Sequence, residues 1–147
     1  MKAITICQPY AELIILGVKP VENRTWQAGH RGPLLIHAGK SREWMDTVDY
    51  CDRVSLGEMD FGAIIGVVDL VKCFSLAYLR STNCDDKYRH LGTHKHASGP
   101  FCFVLENPRR FTPAIPCRGM QGLWDVPELT RRIVAEELAR MQHGTQV

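Results

Sequence analysis

The chain has 147 residues, 45% of them hydrophobic and 23% charged, with 12 Gly and 8 Pro. That is enough chain to bury one sizeable core, and it is too apolar for wholesale disorder or low complexity. The formal net charge of +2 singles out no partner. The longest apolar run, Ile64 to Val71, is broken by Gly66 and Asp69 and falls far short of the roughly 18 residues of a membrane-spanning helix.

In chain order, Lys2 to Cys7 alternates with Ile4 and Ile6 on one face and predicts a short strand. It follows the first residue directly with no signal-peptide pattern, so the expectation is a soluble, cytoplasmic protein with no membrane partner. Its six cysteines, Cys7, Cys51, Cys73, Cys84, Cys102 and Cys117, form no CxxC pair and are expected to be reduced. Gln8-Pro9 opens a helix, because proline suits a first turn where its missing N–H costs nothing. Tyr10, Leu13 and Ile14 follow at helical spacing, and Gly17 suits a left-handed stop. Pro20 keeps the helix from resuming, so Val21 to Trp26 should be extended with Glu22 and Arg24 pointing the same way.

Gly29 to Gly32 reads as a turn and Pro33 to His37 as a buried strand. Lys40 to Ser55 has the pattern of an amphipathic helix, with Trp44, Val48, Cys51 and Val54 as its stripe. Gly62 to Phe74, rich in Ile and Val, is the strongest strand signal. Leu76 to Leu79 suggests one helical turn and residues 80–99 a polar loop. Pro100 to Glu106 alternates again, with Phe101, Phe103 and Leu105 on one face, and Phe111 to Pro116 is extended. Asp125-Val126-Pro127-Glu128 has the spacing of a capping box ahead of a final helix with Leu129, Ile133, Leu138 and Met141 as its stripe, fraying from His143 to Val147. Strands dominate the middle, and the helices do not alternate regularly with them. The expected class is therefore α+β, one domain over 1–147: a small barrel or strongly curved sheet with helices outside, rather than a doubly wound parallel sheet.

Charge is unevenly spread. Residues 17–42 hold Lys19, Arg24, Arg31, Lys40 and Arg42 against Glu22, whereas residues 43–60 hold Glu43, Asp46, Asp49, Asp52, Glu58 and Asp60 against Arg53. If the fold keeps these stretches apart, the surface is polarised. The basic stretch also carries Trp26, and cations interleaved with an aromatic suit a ligand bearing phosphates and bases. Within it, Lys19 follows a helix stop, stands three residues from Glu22, and shares a strand face with Arg24. A carboxylate flanked by two cations can form a partly buried binding floor, with the guanidinium as a planar fork for phosphate, carboxylate or a base edge. On spacing alone, a salt-bridge cluster pinning a turn accounts for it equally well.

Gly17-x-Lys19-x-x-Glu22-x-Arg24 resembles the signature of the ASCH (activating signal cointegrator homology) family of PUA-like domains. The flanks are similar too: Gln8-Pro9-Tyr10-Ala11, with Tyr10 where Trp is usual; Arg31-Gly32-Pro33-Leu34-Leu35-Ile36-His37-Ala38; and Cys117-Arg118-Gly119-Met120-Gln121-Gly122-Leu123-Trp124. The blocks run from residue 4 to about 127. The resemblance implies a PUA-like small β-barrel with flanking helices and a cleft lined by the signature residues. It also implies a partner among RNA, single-stranded nucleic acid or a modified nucleoside. Some members of the family act as amidohydrolases on N4-acetylcytidine with a Thr where this chain has Glu22. A carboxylate can activate water but cannot use the hydroxyl mechanism.

Around Lys19, Glu22 and Arg24 the candidate ligand contacts are Gln8, Trp26, Arg31, His37, Arg118, Gln121 and Trp124. Gln8 and Gln121 offer amides for a base edge, Trp26 and Trp124 offer stacking faces, and Arg31 and Arg118 offer phosphate contacts. Trp124, Trp26 and His37 each also have an ordinary structural account: core, barrel-end cover, and a hydrogen-bonded strand histidine. In a hydrolase, the alternative to a binding module, Glu22 activates water while Lys19 and Arg24 stabilise developing charge. Asp69 and Glu106 are candidates for a further acid. A ribonuclease built on Lys19 and a nearby Tyr or His is a third reading. Cys84, His90, His94 and His96 cluster, but their spacing matches no paired-Cys zinc pattern, so neither metal nor cofactor is expected.

Overall fold

The computed structural model describes residues 1–144. Its elements are β1 (Lys2–Ile6), α1 (Tyr10–Ile15), β2 (Val21–Arg24), β3 (Gly32–Ala38), α2 (Tyr50–Arg53), β4 (Ala63–Ser75), α3 (Leu76–Leu79), a 3₁₀ turn (Arg89–Thr93), β5 (Phe101–Pro116), β6 (Leu123–Asp125) and α4 (Glu128–His143). The strands form one curled sheet in the order β2-β5-β4-β3-β1-β6. Only β1 and β3 run parallel; the other neighbouring pairs are antiparallel. This is the curved, helix-flanked α+β sheet expected of a PUA-like fold.

Strand alternation decides which side chains face which layer. Ile4 and Ile6 of β1, Leu34 and Ile36 of β3, Ile65 and Val68 of β4, and Phe103 and Leu105 of β5 fill the inside of the curl against Ile14 and Ile15 of α1. Ala3, Leu35, Ile64, Val67 and Phe111 point the other way and are covered by Val134 of α4, with Leu138 and Met141 beside it. A third cluster joins Val21, Cys102 and Val104 to Leu79, Tyr88, Leu91 and Ala97, so residues 80–99 are packed against the β2–β5 end rather than forming a free polar loop. The β4–β5 pair is the longest, and its register slips near Gly66, Asp69 and Leu70. These bulges let the sheet curl.

The structure corrects further sequence expectations. Lys40 to Ser55 forms no long helix; it makes a single helical turn at Tyr50–Arg53, and of the expected stripe only Val48 is buried, while Trp44 is 46% exposed and Val54 64% exposed. Asp49 caps this turn by accepting from the backbone N–H of Asp52, and Asp49 and Asp52 both make a tertiary pair with Lys95. The capping box is absent as well. Asp125 closes β6 and pairs with Lys2, so α4 starts later, and Glu128 turns to Arg131 and Arg132. The face that α4 buries centres on Val134, leaving Leu129 and Ile133 exposed. Finally, Pro100 to Glu106 and Phe111 to Pro116 belong to one continuous strand. His143 is the last residue of α4, and residues 145–147 of the expected frayed tail lie outside those described.

Gly66 sits where β4 bulges beneath α1. A Cβ there would lie 2.3 Å from the Arg109 carbonyl oxygen and 2.7 Å from Ile15 Cδ1. Because one neighbour is backbone, it cannot simply rotate away. Gly66→Ala should therefore cost on the order of 1–3 kcal/mol in urea unfolding, and a variant as stable as the parent would contradict this account of the crossing.

Candidate nucleic-acid interface

The cleft begins with the way α1 ends. Gly17 takes φ +79°, and the N–H groups of Gly17 and Val18 return to the carbonyls of Ile14 and Leu13, the paired bonds of a Schellman stop. The N–H of Lys19 also reaches the Leu13 carbonyl, which fixes where Lys19 leaves the helix. Its side chain is only 4% exposed. The ammonium donates to the Val21 carbonyl at 2.5 Å and to Glu22 Oε1 at 3.3 Å, and lies 5.9 Å from the centre of the Tyr10 ring. Glu22 Oε1 also accepts from the backbone N–H of Asn23, while Oε2 accepts from Arg24 Nη2 at 3.1 Å. As β2 is extended, Glu22 and Arg24 do share a face.

Arg24 then spans the opening of the curl. The same Nη2 donates to the Thr5 carbonyl of β1 at 3.0 Å, linking the β2 edge to the far side of the sheet. Between them lies a hollow of about 640 Å³, walled by Thr5, Tyr10, Lys19, Glu22, Arg24 and Trp44 and completed by Lys95, His96 and Ser98. That volume lies within the range of small-molecule sites. The Tyr10 hydroxyl meets Thr47 Oγ1 at 2.5 Å, and Thr47 bonds back to the Trp44 carbonyl, so one aromatic wall helps order the other.

The remaining wall is brought in by Asn23, which faces away from its two charged neighbours. Its Oδ1 accepts from the N–H groups of Ser98 and Gly99, and its Nδ2 donates to the His96 carbonyl. Asp52, buried under the same loop, accepts from Lys95 at 2.7 Å and from His96 Nε2 at 2.8 Å. The acidic stretch is thus not held apart from the basic one: Trp44 from the former and Arg24 from the latter line one hollow.

Two further hollows adjoin the first. One, of about 620 Å³, is walled by Thr5, Arg24, Trp26, Met120, Gln121 and Gly122. The other, of about 840 Å³, includes Thr5, His37, Lys40, Arg118, Gly119 and Gln121. Beneath them runs a short polar relay. His37 Nε2 lies 2.6 Å from the Cys117 carbonyl and must carry its proton there, which leaves Nδ1 to accept from Thr5 Oγ1 at 3.2 Å. Trp124 Nε1 donates to the same hydroxyl. Gly119 packs over this relay: a Cβ there would lie 2.6 Å from Thr5 Oγ1.

Comparison with known proteins bears on this arrangement. The ASCH domain family profile matches residues 4–115. The chain belongs to the ASCH domain family. Human and mouse activating signal cointegrator 1 are each 28% identical to it, across 82% of this chain and 21% of their own length. The chain thus spans about a fifth of the curated relatives it matches. ASCH from Zymomonas mobilis shares the fold, with a TM-score of 0.55, 15% identity, and coverage of 92% of this chain and 93% of that one. Its serine-to-alanine variant gives 0.57, 14%, 92% and 94%.

Within this ASCH domain, Lys19, Glu22 and Arg24 converge as expected, and Trp26, Arg118 and Gln121 line the adjoining hollows. Gln8 does not join them. It is fully buried, accepts from the Glu12 N–H and donates to the Asp60 carbonyl, so both ends of its amide are occupied. Arg31 bonds to the Ala28 and His30 carbonyls away from the hollows. Trp124 is 5% exposed and packs in the outer core, leaving no stacking face free. His37 lines the largest of these three hollows, but it is 2% exposed with both ring nitrogens engaged. Asp69 pairs with Arg109 on the β4–β5 ribbon, where the exposed Glu106 is its cross-strand neighbour. Among the described residues, no three His, Cys, Asp or Glu side chains group as metal ligands. Sequence reasoning missed Thr5, Asn23, Trp44, Lys95, His96 and Ser98. Only Asn23 carried a signal, a polar side chain on the buried face of a strand.

Asn23→Ala would leave the N–H groups of Ser98 and Gly99 without their acceptor, and about 2 kcal/mol of stability should go with it. Faster amide exchange at 96–99 would identify the cause; unchanged exchange there would refute it. The histidines give a pH test. Burial lowers the pKa of His37, His94 and His96 from the ordinary 6.5, with Asp52 opposing it at His96. Above about pH 6.5 these rings are neutral in both folded and unfolded states. Below it the unfolded chain takes up protons that the folded one resists, so stability falls and then levels off beneath the lowered values. Urea unfolding should show lower stability at pH 5.5 than at 7.5, with a smaller drop in His37→Gln.

Proposed function

We propose that this ASCH domain binds single-stranded RNA and holds one nucleotide unit in the Lys19/Glu22/Arg24 hollow. The observation that carries this reading is the composition of that hollow: two cations held by one carboxylate at the floor, with Tyr10 and Trp44 as walls. Cations for the backbone beside aromatic faces for bases are what a single strand needs, and each base stacked on an aromatic adds about 1–3 kcal/mol. The family resemblance to RNA-binding PUA-like domains supports the same ligand class.

Glu22 favours binding over hydrolysis of a modified nucleoside. Three donors already occupy it: Lys19, the Asn23 N–H and Arg24. It is used to place two cations beside each other, which leaves it poorly disposed to take a proton from water.

Fluorescence polarisation with a 5′-fluorescein-labelled octauridylate tests the proposal. Affinity should fall with salt at a slope of about −0.7 per phosphate contacted. Trp44→Ala, at an exposed position, should weaken binding by about tenfold or more, and Arg24→Ala should do the same with an unchanged circular dichroism spectrum. Binding indifferent to both substitutions would remove the site from consideration. Release of acetate from N4-acetylcytidine, abolished by Lys19→Ala, would replace binding with catalysis.

A further inference from the structure

Four strands, β1, β3, β4 and β5, have an end at one level of the sheet. Ile6 of β1 pairs with Ala38 of β3, Ala38 with Ala63 of β4, and Ala63 with Pro116 of β5. The three hollows lie along this end, and Thr5 belongs to all of them. The first and second also share Arg24; the second and third share Met120 and Gln121. They are successive bays of one groove.

The cations along the groove differ in one respect. Lys19, Arg24 and Lys95 in the first bay are all paired with carboxylates. Lys40 and Arg118 in the last bay are exposed, and their side chains have no carboxylate or hydrogen-bond partner among the described residues. Lys40 is nevertheless placed: its stem lies across Gly62, where a Cβ would meet Lys40 Cε at 3.0 Å, and Gly62 holds φ +65°. Between the two ends, Trp26 stands edge-on to Phe103, 5.2 Å between ring centres, and its partly exposed side lines the middle bay beside Arg24. Two free cations at the far end of a groove with aromatic stations are arranged to take the backbone of a chain that has already passed the first bay. Neither of them lines the first bay.

We infer that Lys40 and Arg118 form a second anion subsite, taking backbone phosphate of the same strand whose nucleotide occupies the Lys19/Glu22/Arg24 hollow. The inference rests on the binding proposed above and narrows it: the ligand is an oligonucleotide crossing all three bays, with a footprint of about three nucleotides if each bay takes one, and not a free nucleoside.

The test compares two probes on the full chain, labelled octauridylate and its displacement by uridine 5′-monophosphate. In a Lys40→Gln, Arg118→Gln double variant, octauridylate affinity should fall about tenfold and the salt slope should become shallower by about 1.4, the value for two lost single-strand contacts. The concentration of monophosphate that half-displaces the probe, corrected for probe affinity, should stay the same. Neither side chain bonds to the fold, so unfolding does not confuse the result. If the double variant keeps the parental affinity and slope while Trp44→Ala loses binding, the second subsite is wrong and the first bay stands. If the parent protein binds neither probe, the proposed function falls and this inference with it. Equal loss for both probes in the double variant would also overturn the inference, since Lys40 and Arg118 would then be serving the mononucleotide itself.

Discussion

Arg24 holds together the two sides of an opening that no strand pairing closes. One terminal nitrogen donates both to Glu22 on its own strand and to the Thr5 carbonyl across the gap. Glu22 in turn holds Lys19, so a carboxylate and two cations become one rigid unit where the sheet would otherwise be a loose edge. The buried charges are tolerable because each is met by an opposite charge and by backbone partners, the condition under which a desolvated ion pair persists. A consequence is that the groove's floor is charged and fixed before any ligand arrives.

The same principle recurs around the groove. Asp52 holds Lys95 and His96, Asn23 holds the backbone from His96 to Gly99, and Glu12, buried in α1, is paired with Arg110 of β5. Among the described residues, no buried side-chain nitrogen or oxygen is left without a hydrogen bond. Segments with little regular structure, 40–49 and 80–99, are thereby fastened at particular points by polar side chains, and the binding surface is built on the fastened parts. This is how a loop region can present defined chemistry: its position is set by a few directional bonds rather than by ladders of its own.

Charge segregation along the chain does not survive as segregation in space. The acidic stretch from Glu43 to Asp60 contributes Trp44 to the cleft and uses Asp49 and Asp52 to tether Lys95, so it serves as scaffold for a basic site. Of the described cations that line the groove, Lys40 and Arg118 have no acidic partner, and they stand beyond that scaffold. Local net charge therefore says less about ligand preference than which cations remain unpaired after folding.

By itself the sequence determined what depends on near neighbours. Alternation in β1 and β5 placed Ile4 and Phe103 on buried faces, and the unbroken apolar character of β3 and β4 marked them as buried strands. Gly17 ended α1, and the spacing of Lys19, Glu22 and Arg24 put them together, because a helix stop and a two-residue strand period are local geometry. The ASCH signature was legible for the same reason. Only the tertiary structure decided the rest. Lys40 to Ser55 has a helical stripe, yet its acids are drawn to Lys95 and His96 from 40 and more residues away, and those bonds outcompete a helix with no groove to bury its apolar face. Asp125 caps nothing because Lys2, at the other end of the chain, claims it for a strand. Gln8 and Trp124 carry groups suited to a base, but packing turned one inward to α1 and the other into the outer core. Which side chains of a motif face a ligand is settled by what else the fold needs to satisfy, and those partners are distant in sequence.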